Sequence, residues 1–184
     1  MIEIVSTQID GVRIVRPMVQ SDPRGTFVKF VHERIFAEHG LPTRFAEQYY
    51  SVSSQNVLRG LHLQVPPHHH DKLVTCIAGD VFDVVVDLRK GRGYGRHQSF
   101  DLDGARGDSI FVPAGCAHGF YVRSATATLL YNVGTVHAPL HDTGIRWDSA
   151  GIAWPSPSPV VSDRDAALPP LAAFSSPFGD NGQS

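Results

Sequence analysis

Lys72-Leu73-Val74-Thr75-Cys76-Ile77-Ala78-Gly79-Asp80-Val81-Phe82-Asp83-Val84-Val85-Val86-Asp87-Leu88 consists of two apolar, β-branched runs separated by Gly-Asp. Runs of this length and composition read as strands. The Gly79-Asp80 step predicts a tight turn of the hairpin kind between them. Alternation puts Lys72, Val74 and Cys76 on one face, and Val81, Asp83, Val85 and Asp87 on one face. If the hairpin pairs the two strands, Asp83 lies near Lys72 or Val74. A carboxylate beside a lysine on an inner face needs that partner. The pair then reads either as a pocket feature or as a structural ion pair.

The same rhythm continues in both directions. Downstream, strands are expected over 96–102, 109–112, 117–122 and 126–133, with turns at 89–95, 103–104 and 113–115. Upstream, 57–65 is a strand and 66–71, carrying His68-His69-His70, is expected to be a solvated loop. The segment 45–52 reads as an aromatic strand and 53–56 as a turn. Near the start, strands are expected before Pro17 and over 26–31, with a turn at 21–25. One short helix is expected over 32–39, stopped by Gly40 and Pro42. Strands at intervals of about 8–12 residues with turn signals between them indicate an all-β antiparallel sandwich or barrel.

The chain has 184 residues, the length of one domain. A single domain over 1–184 is expected, with residues 175–184, small and polar, as a mobile tail. Hydrophobic residues make up 42% and the formal net charge is -2. That balance supplies no general field for nucleic acid or an anionic membrane surface. No apolar run approaches the ~20 residues of a spanning helix. Cys76 and Cys116 each sit in an apolar run and read as buried free thiols, so a cytoplasmic setting is expected.

Within the 57–65 strand, Arg59-Gly60-Leu61-His62-Leu63-Gln64 is followed by Lys72. An imidazole takes a proton near neutrality, a lysine holds a developing oxyanion, and a guanidinium suits phosphate. Together they suggest proton abstraction from a phosphorylated or nucleotide-bearing carbonyl compound. The alternative is two surface charges and a core histidine. Strict alternation sets Arg59 and His62 on opposite faces. Either the strand bulges at Gly60, or Arg59 points elsewhere, into a neighbour's site.

Other constellations are weaker. A catalytic metal in such a barrel wants two close histidines, a carboxylate and a later histidine. The residue two after His62 is Gln64, and no glutamate follows Glu47. No metal and no cofactor are expected. His118 is either a core histidine or a site residue. Tyr131 either packs with a wet hydroxyl or acts as a general acid. In Ser162-Asp163-Arg164-Asp165, one carboxylate either orients His62 or belongs to a solvated turn.

Taken in order, Asp22-Pro23-Arg24-Gly25, Asn56-Val57-Leu58-Arg59-Gly60-Leu61-His62, Lys72-Leu73-Val74, the 79–89 run, Pro113-Ala114-Gly115-Cys116-Ala117-His118-Gly119-Phe120, Leu130-Tyr131, Gly151-Ile152-Ala153-Trp154-Pro155 and Ser162-Asp163-Arg164-Asp165 resemble the dTDP-4-dehydrorhamnose 3,5-epimerase family. The resemblance implies a metal-free, cupin-type double-stranded jelly roll with short peripheral helices. It implies a homodimer that exchanges N-terminal strands and an NDP-4-keto-6-deoxysugar substrate, epimerised at C3 and/or C5. It implies His62 as base with Asp165 as its carboxylate partner, Lys72 at the C4 oxygen, and Tyr131 as acid on the other face. Arg24 and Arg59 fall on the diphosphate, His118 close to the sugar, and Phe27, Lys29, Glu47 and His137 at further substrate-binding positions. The chain departs from the family pattern in three places. Lys29 stands where glutamate is usual, and Glu47-Gln48-Tyr49 replaces a stretch rich in Gln and Asn; both bear on the nucleotide base. His137 replaces a tyrosine, which bears on the stereochemical outcome. The rival readings are a metal-dependent cupin oxygenase or isomerase and a non-catalytic sugar-nucleotide-binding cupin.

Overall fold

A computed structural model describes residues 1–179. It contains thirteen strands: β1 (Glu3–Ser6), β2 (Arg13–Arg16), β3 (Met18–Asp22), β4 (Gly25–Lys29), β5 (Glu47–Ser54), β6 (Leu58–Gln64), β7 (Lys72–Ala78), β8 (Asp80–Asp87), β9 (His97–Asp103), β10 (Ser109–Val112), β11 (Cys116–Val122), β12 (Thr126–Val133) and β13 (Asp142–Gly144). Two short helices, α1 (Glu33–Glu38) and α2 (Asp163–Ala166), and a 3₁₀ turn at Leu171–Ala173 complete the described elements. The strands form a six-stranded sheet in the order β1-β2-β10-β7-β12-β5, a five-stranded sheet in the order β13-β6-β11-β8-β9, and a separate β3-β4 hairpin. The jelly roll expected from the sequence is the fold observed.

Strand alternation sorts the side chains. Val74, Cys76, Val81, Val85, Phe120, Val122, Leu129 and Val133 meet between the sheets in the central core. The opposite face of the five-stranded sheet offers Leu61, Leu63, Val84, Val86, Leu88 and Ala117, which the C-terminal segment covers. On the outer side of the other sheet, Leu73 and Phe111 pack with Val15 and with Phe36 of α1.

The Gly79-Asp80 turn does not pair its own strands. β7 bonds to β10 and β12, whereas β8 bonds to β11 and β9. The step is a corner between the two sheets. Gly79 takes φ +81°, and a Cβ there would lie 2.2 Å from the carbonyl oxygen of Thr126. A turn signal is local and gives no information on which sheet receives the next strand. Asp83 accordingly is not beside Lys72.

Smaller differences follow from tertiary context. Ser53 and Ser54 extend β5 because they pair with Ala127 and Thr126. The strand expected to reach 31 stops at Lys29.

The expected mobile tail is packed as far as residue 179. Phe178 is fully buried, Ser176 donates to the Leu88 carbonyl, and the Lys90 N–H donates to Phe178 O at 3.2 Å. Burying a phenylalanine contributes roughly 1.5–3 kcal/mol, which offsets the ordering of one or two residues at about 1–2 kcal/mol each. Residues 180–184 of that expectation lie outside the described residues.

Just before α2 the chain runs as a strap across the end of β6. Val57 and Val160 form a parallel bridge. The Leu58 N–H donates to Val160 O at 2.9 Å, and the Val160 N–H donates to Asn56 O at 2.7 Å. This fastening brings α2 against β6.

Candidate active site

A cavity of about 500 Å³ opens between the sheets. Its walls include Arg59, His62, Lys72, His118, Tyr131, Asp165, Glu47 and His137. Arg59 and His62 share it because β6 is irregular. Across from β11, His118 aligns with His62 but Phe120 aligns with Arg59, so the register shifts by one residue at Gly60. Gly60 takes φ +130°, and a Cβ there would lie 2.5 Å from the Gly119 Cα. Only glycine fits this close approach. Of the two alternatives left by the sequence, the structure contains the bulge. The Arg59 Nε donates to Ser53 Oγ at 2.9 Å, which holds the stem of an otherwise exposed side chain.

His62 Nε2 lies 2.7 Å from Asp165 Oδ1, and the other carboxylate oxygen accepts the Gly60 N–H at 3.0 Å. Asp165 is the third residue after the Ser162 cap, whose Oγ accepts the Asp165 N–H at 3.1 Å. Burial alone raises a carboxyl pKa. Here the hydrogen bond and charge of His62, with the donors Gly60 and Ser162, outweigh burial and hold Asp165 below its ordinary value. Ionised Asp165 makes Nε2 the protonated nitrogen. Nδ1 is left as the basic one, the tautomer a proton acceptor needs.

A second pair mirrors the first. His118 of β11, the register partner of His62 on β6, contacts Asp83 Oδ2 through Nε2 at 2.7 Å. Both side chains are buried. His118 is thus held by a carboxylate, and the partner of Asp83 is His118 rather than Lys72.

Lys72 and Tyr131 face these histidines from the six-stranded sheet. Lys72 is buried and its Nζ donates to the His62 carbonyl at 3.1 Å. Burial lowers its pKa to about 8; Asp142 opposes this and Arg164 adds to it. Two of its three ammonium hydrogens remain for a ligand. Burial pushes the Tyr131 hydroxyl well above the ordinary phenol value, so it stays protonated. Tyr49 stacks on Tyr131 with ring centroids 4.9 Å apart and planes 15° apart.

At one end of the cavity Glu47 Oε2 accepts the His137 N–H at 2.7 Å. Asp142 pairs with Arg164 at 2.9 Å and lies 3.9 Å from His137 Nδ1. Asp142, Arg164, Gln64 and His70 belong to this wall but were not among the residues expected from sequence. Arg164 carried a signal through its place beside Asp165, and Gln64 through its place two residues after His62 on the same face of the strand. His70 corrects the expectation of a wholly solvated triple histidine: His68 is exposed, whereas His70 turns into the cavity. Arg24, Phe27 and Lys29 are not brought to the cavity of their own chain. They lie on the exposed β3-β4 hairpin, where Arg24 pairs with Asp22 at 2.6 Å. Among the described residues no group of three or more His, Cys, Asp or Glu is arranged to hold a metal. No described helix is long and apolar enough to cross a membrane.

Two histidine–carboxylate pairs facing a lysine and a protonated tyrosine set groups that can take, hold and give protons around one cavity. Residues 6–173 match the model of the dTDP-4-dehydrorhamnose 3,5-epimerase family. The chain is 36% identical to the dTDP-4-dehydrorhamnose 3,5-epimerase of Shigella flexneri, over 88% of this chain and 92% of that one. It is 38% identical to the dTDP-4-dehydrorhamnose 3-epimerase of Streptomyces niveus, over 85% and 78% respectively. A solved structure of dTDP-6-deoxy-D-glucose-3,5-epimerase from Legionella pneumophila, in complex with dTDP-4-keto-L-rhamnose, superposes with a TM-score of 0.90 at 34% identity, covering 95% of each chain. The chain belongs to the dTDP-4-dehydrorhamnose 3,5-epimerase family and is an isomerase.

Proposed function

We propose that the chain epimerises an NDP-4-keto-6-deoxyhexose, such as dTDP-4-dehydro-6-deoxyglucose, at C3 and C5. The observation that carries this reading is a carboxylate-backed base, His62, and a protonated phenol, Tyr131, on facing sheets of one cavity. The C4 ketone acidifies the hydrogens on C3 and C5. His62 removes one through Nδ1, and the electron pair moves into an enolate whose oxygen Lys72 stabilises as a fixed donor. Tyr131 returns a proton from the opposite face and inverts the carbon. Arg59 holds the diphosphate, with His118 beside the sugar. The test is NMR of several 4-keto-6-deoxy sugar nucleotides incubated with the protein in heavy water. Deuterium at C3 and C5 with inversion is expected. A bound sugar nucleotide without exchange would mark a binding protein instead.

Lys72 sets a pH limit. With its pKa lowered to about 8, the ammonium is present below that pH and lost above it. The quantity kcat/KM is therefore expected to fall as pH rises past about 8. Lys72→Arg keeps its charge and should remove this alkaline limb, although at a lower rate. A limb unchanged in Lys72→Arg would assign it to another group.

We also propose that the β3-β4 hairpin completes the site of a second copy in a homodimer, placing Arg24, Phe27 and Lys29 on the nucleotide. In support, the hairpin stands apart from both sheets, and Phe27 is 56% exposed. Arg24→Ala and His62→Asn chains are each expected to be impaired alone. Co-expressed, they should regain activity, since a mixed two-fold dimer holds one intact site, about a quarter of all sites at equal mixing. No recovery in isolated mixed dimers would place the hairpin in its own chain's site or in none.

A further inference from the structure

His70 lies within the cavity wall beside Lys72, and the mechanism above leaves it without a task. Its ring is held from one side. Nδ1 lies 2.8 Å from Thr135 Oγ1 and 3.2 Å from Gln64 Nε2. Those two groups are themselves fixed. Thr135 Oγ1 donates to His68 O at 3.1 Å, and Gln64 Nε2 donates to the same carbonyl at 2.7 Å. Gln64 Oε1 accepts the Ala138 N–H at 2.6 Å. The network thus ties His70 to the segment that carries His137. Nε2 has no hydrogen-bond partner among the described residues.

The charge state fits a neutral contact. Burial, with the neighbouring Lys72 cation, lowers the His70 pKa to about 4, against weaker opposing effects of Thr135, Asp142 and Glu47. At neutral pH the imidazole is uncharged, so Nε2 meets a ligand as one half of a neutral hydrogen bond. A hydroxyl suits it in either tautomer, because a hydroxyl both donates and accepts. In a 4-keto hexose, the hydroxyl nearest the oxygen held by Lys72 is the one on C3.

We infer that His70 binds the C3 hydroxyl of the 4-keto hexose through Nε2, with its ring fixed by Thr135 and Gln64, and thereby sets how C3 is presented for inversion. This rests on the epimerase reading and adds a specificity-determining residue to it. Inversion at C3 carries that hydroxyl to the other side of the ring, so the contact distinguishes substrate from C3-inverted product. Inversion at C5 leaves it in place.

The experiment compares wild type, His70→Phe, His70→Gln and Thr135→Val, following deuterium at C3 and C5 of dTDP-4-keto-6-deoxyglucose by NMR. His70→Phe is expected to slow C3 exchange about tenfold relative to C5, the scale of one hydrogen bond. His70→Gln, which again offers a hydrogen-bonding group, should recover most of the loss; if His70→Phe does not fold, Thr135→Val carries the test, because it removes the contact that fixes the ring. Thr135→Val keeps Nε2 but frees the ring and should fall between. A merely structural role would slow both carbons together. Equal slowing of both carbons, or a C3:C5 ratio equal to wild type in the Phe and Thr135→Val variants, would overturn the assignment. A wild-type chain that exchanges neither carbon would instead overturn the epimerase reading, and this inference with it.

Discussion

His62→Asn is expected to fold normally and to lose about 10²–10⁴-fold in turnover, the usual contribution of a positioned acid–base group. Asparagine is smaller than histidine and fits the same space, and although its amide falls short of the 2.7 Å contact that Nε2 makes, Asp165 keeps its bonds with Gly60 and Ser162. What it lacks is a nitrogen able to accept a proton. Binding of the sugar nucleotide should persist, because the cation assigned to the diphosphate, Arg59, is held independently through Ser53. Asp165→Asn should cost less: the base remains, but its tautomer and basicity are no longer enforced. Deuterium exchange at C3 and C5 in heavy water measures both. Near wild-type exchange in His62→Asn would remove His62 from the mechanism.

Tyr131→Phe is expected to separate exchange from inversion. The base, its carboxylate and Lys72 are untouched, so the enolate still forms and His62 can return a deuteron to the face it came from. The proton on the opposite face has lost its source. Inverted product should fall by about 10²–10⁴-fold, while deuterium still enters the recovered substrate with retained configuration. The substitution removes one oxygen and keeps the ring stacked on Tyr49, so stability should change little. A variant that inverts at the wild-type rate would show that another group, or water, supplies the proton.

The sequence carried the strands of the sandwich and the inward faces of β7 and β8 because alternation of buried and exposed side chains is a local record of a pleated sheet. It did not carry their partners. The hairpin expected at Gly79-Asp80 turned out to be a corner, since strand order in a two-sheet fold is settled by contacts far apart in the chain. The site followed the same division. His62, Lys72, Tyr131 and Asp165 were legible as an ordered set of motifs. His70 and Asp142 were not, because a histidine among prolines and histidines, or an aspartate in a polar loop, looks solvated until the cavity wall is closed. Phe178 was missed for a related reason: a lone aromatic in a polar tail gives no period to read. The Gly60 bulge was an open alternative in the sequence, and the lack of room beside Gly119 decides it.

The strap that brings Asp165 to His62 also orders events during synthesis. The two residues are 103 positions apart, and every sheet strand precedes the carboxylate in the chain. A ribosome makes the chain from the N-terminus, so His62 emerges and can be folded over long before its partner exists. While Asp165 is still being made, the histidine has nothing to fix its protonated nitrogen, and the nascent protein is a poor base. Competence therefore arrives late, when the Val57–Val160 bridge closes and α2 docks on β6. A chain cut before residue 165 also loses Phe178, which covers the outer face of the five-stranded sheet, so it is expected to lose stability together with its base.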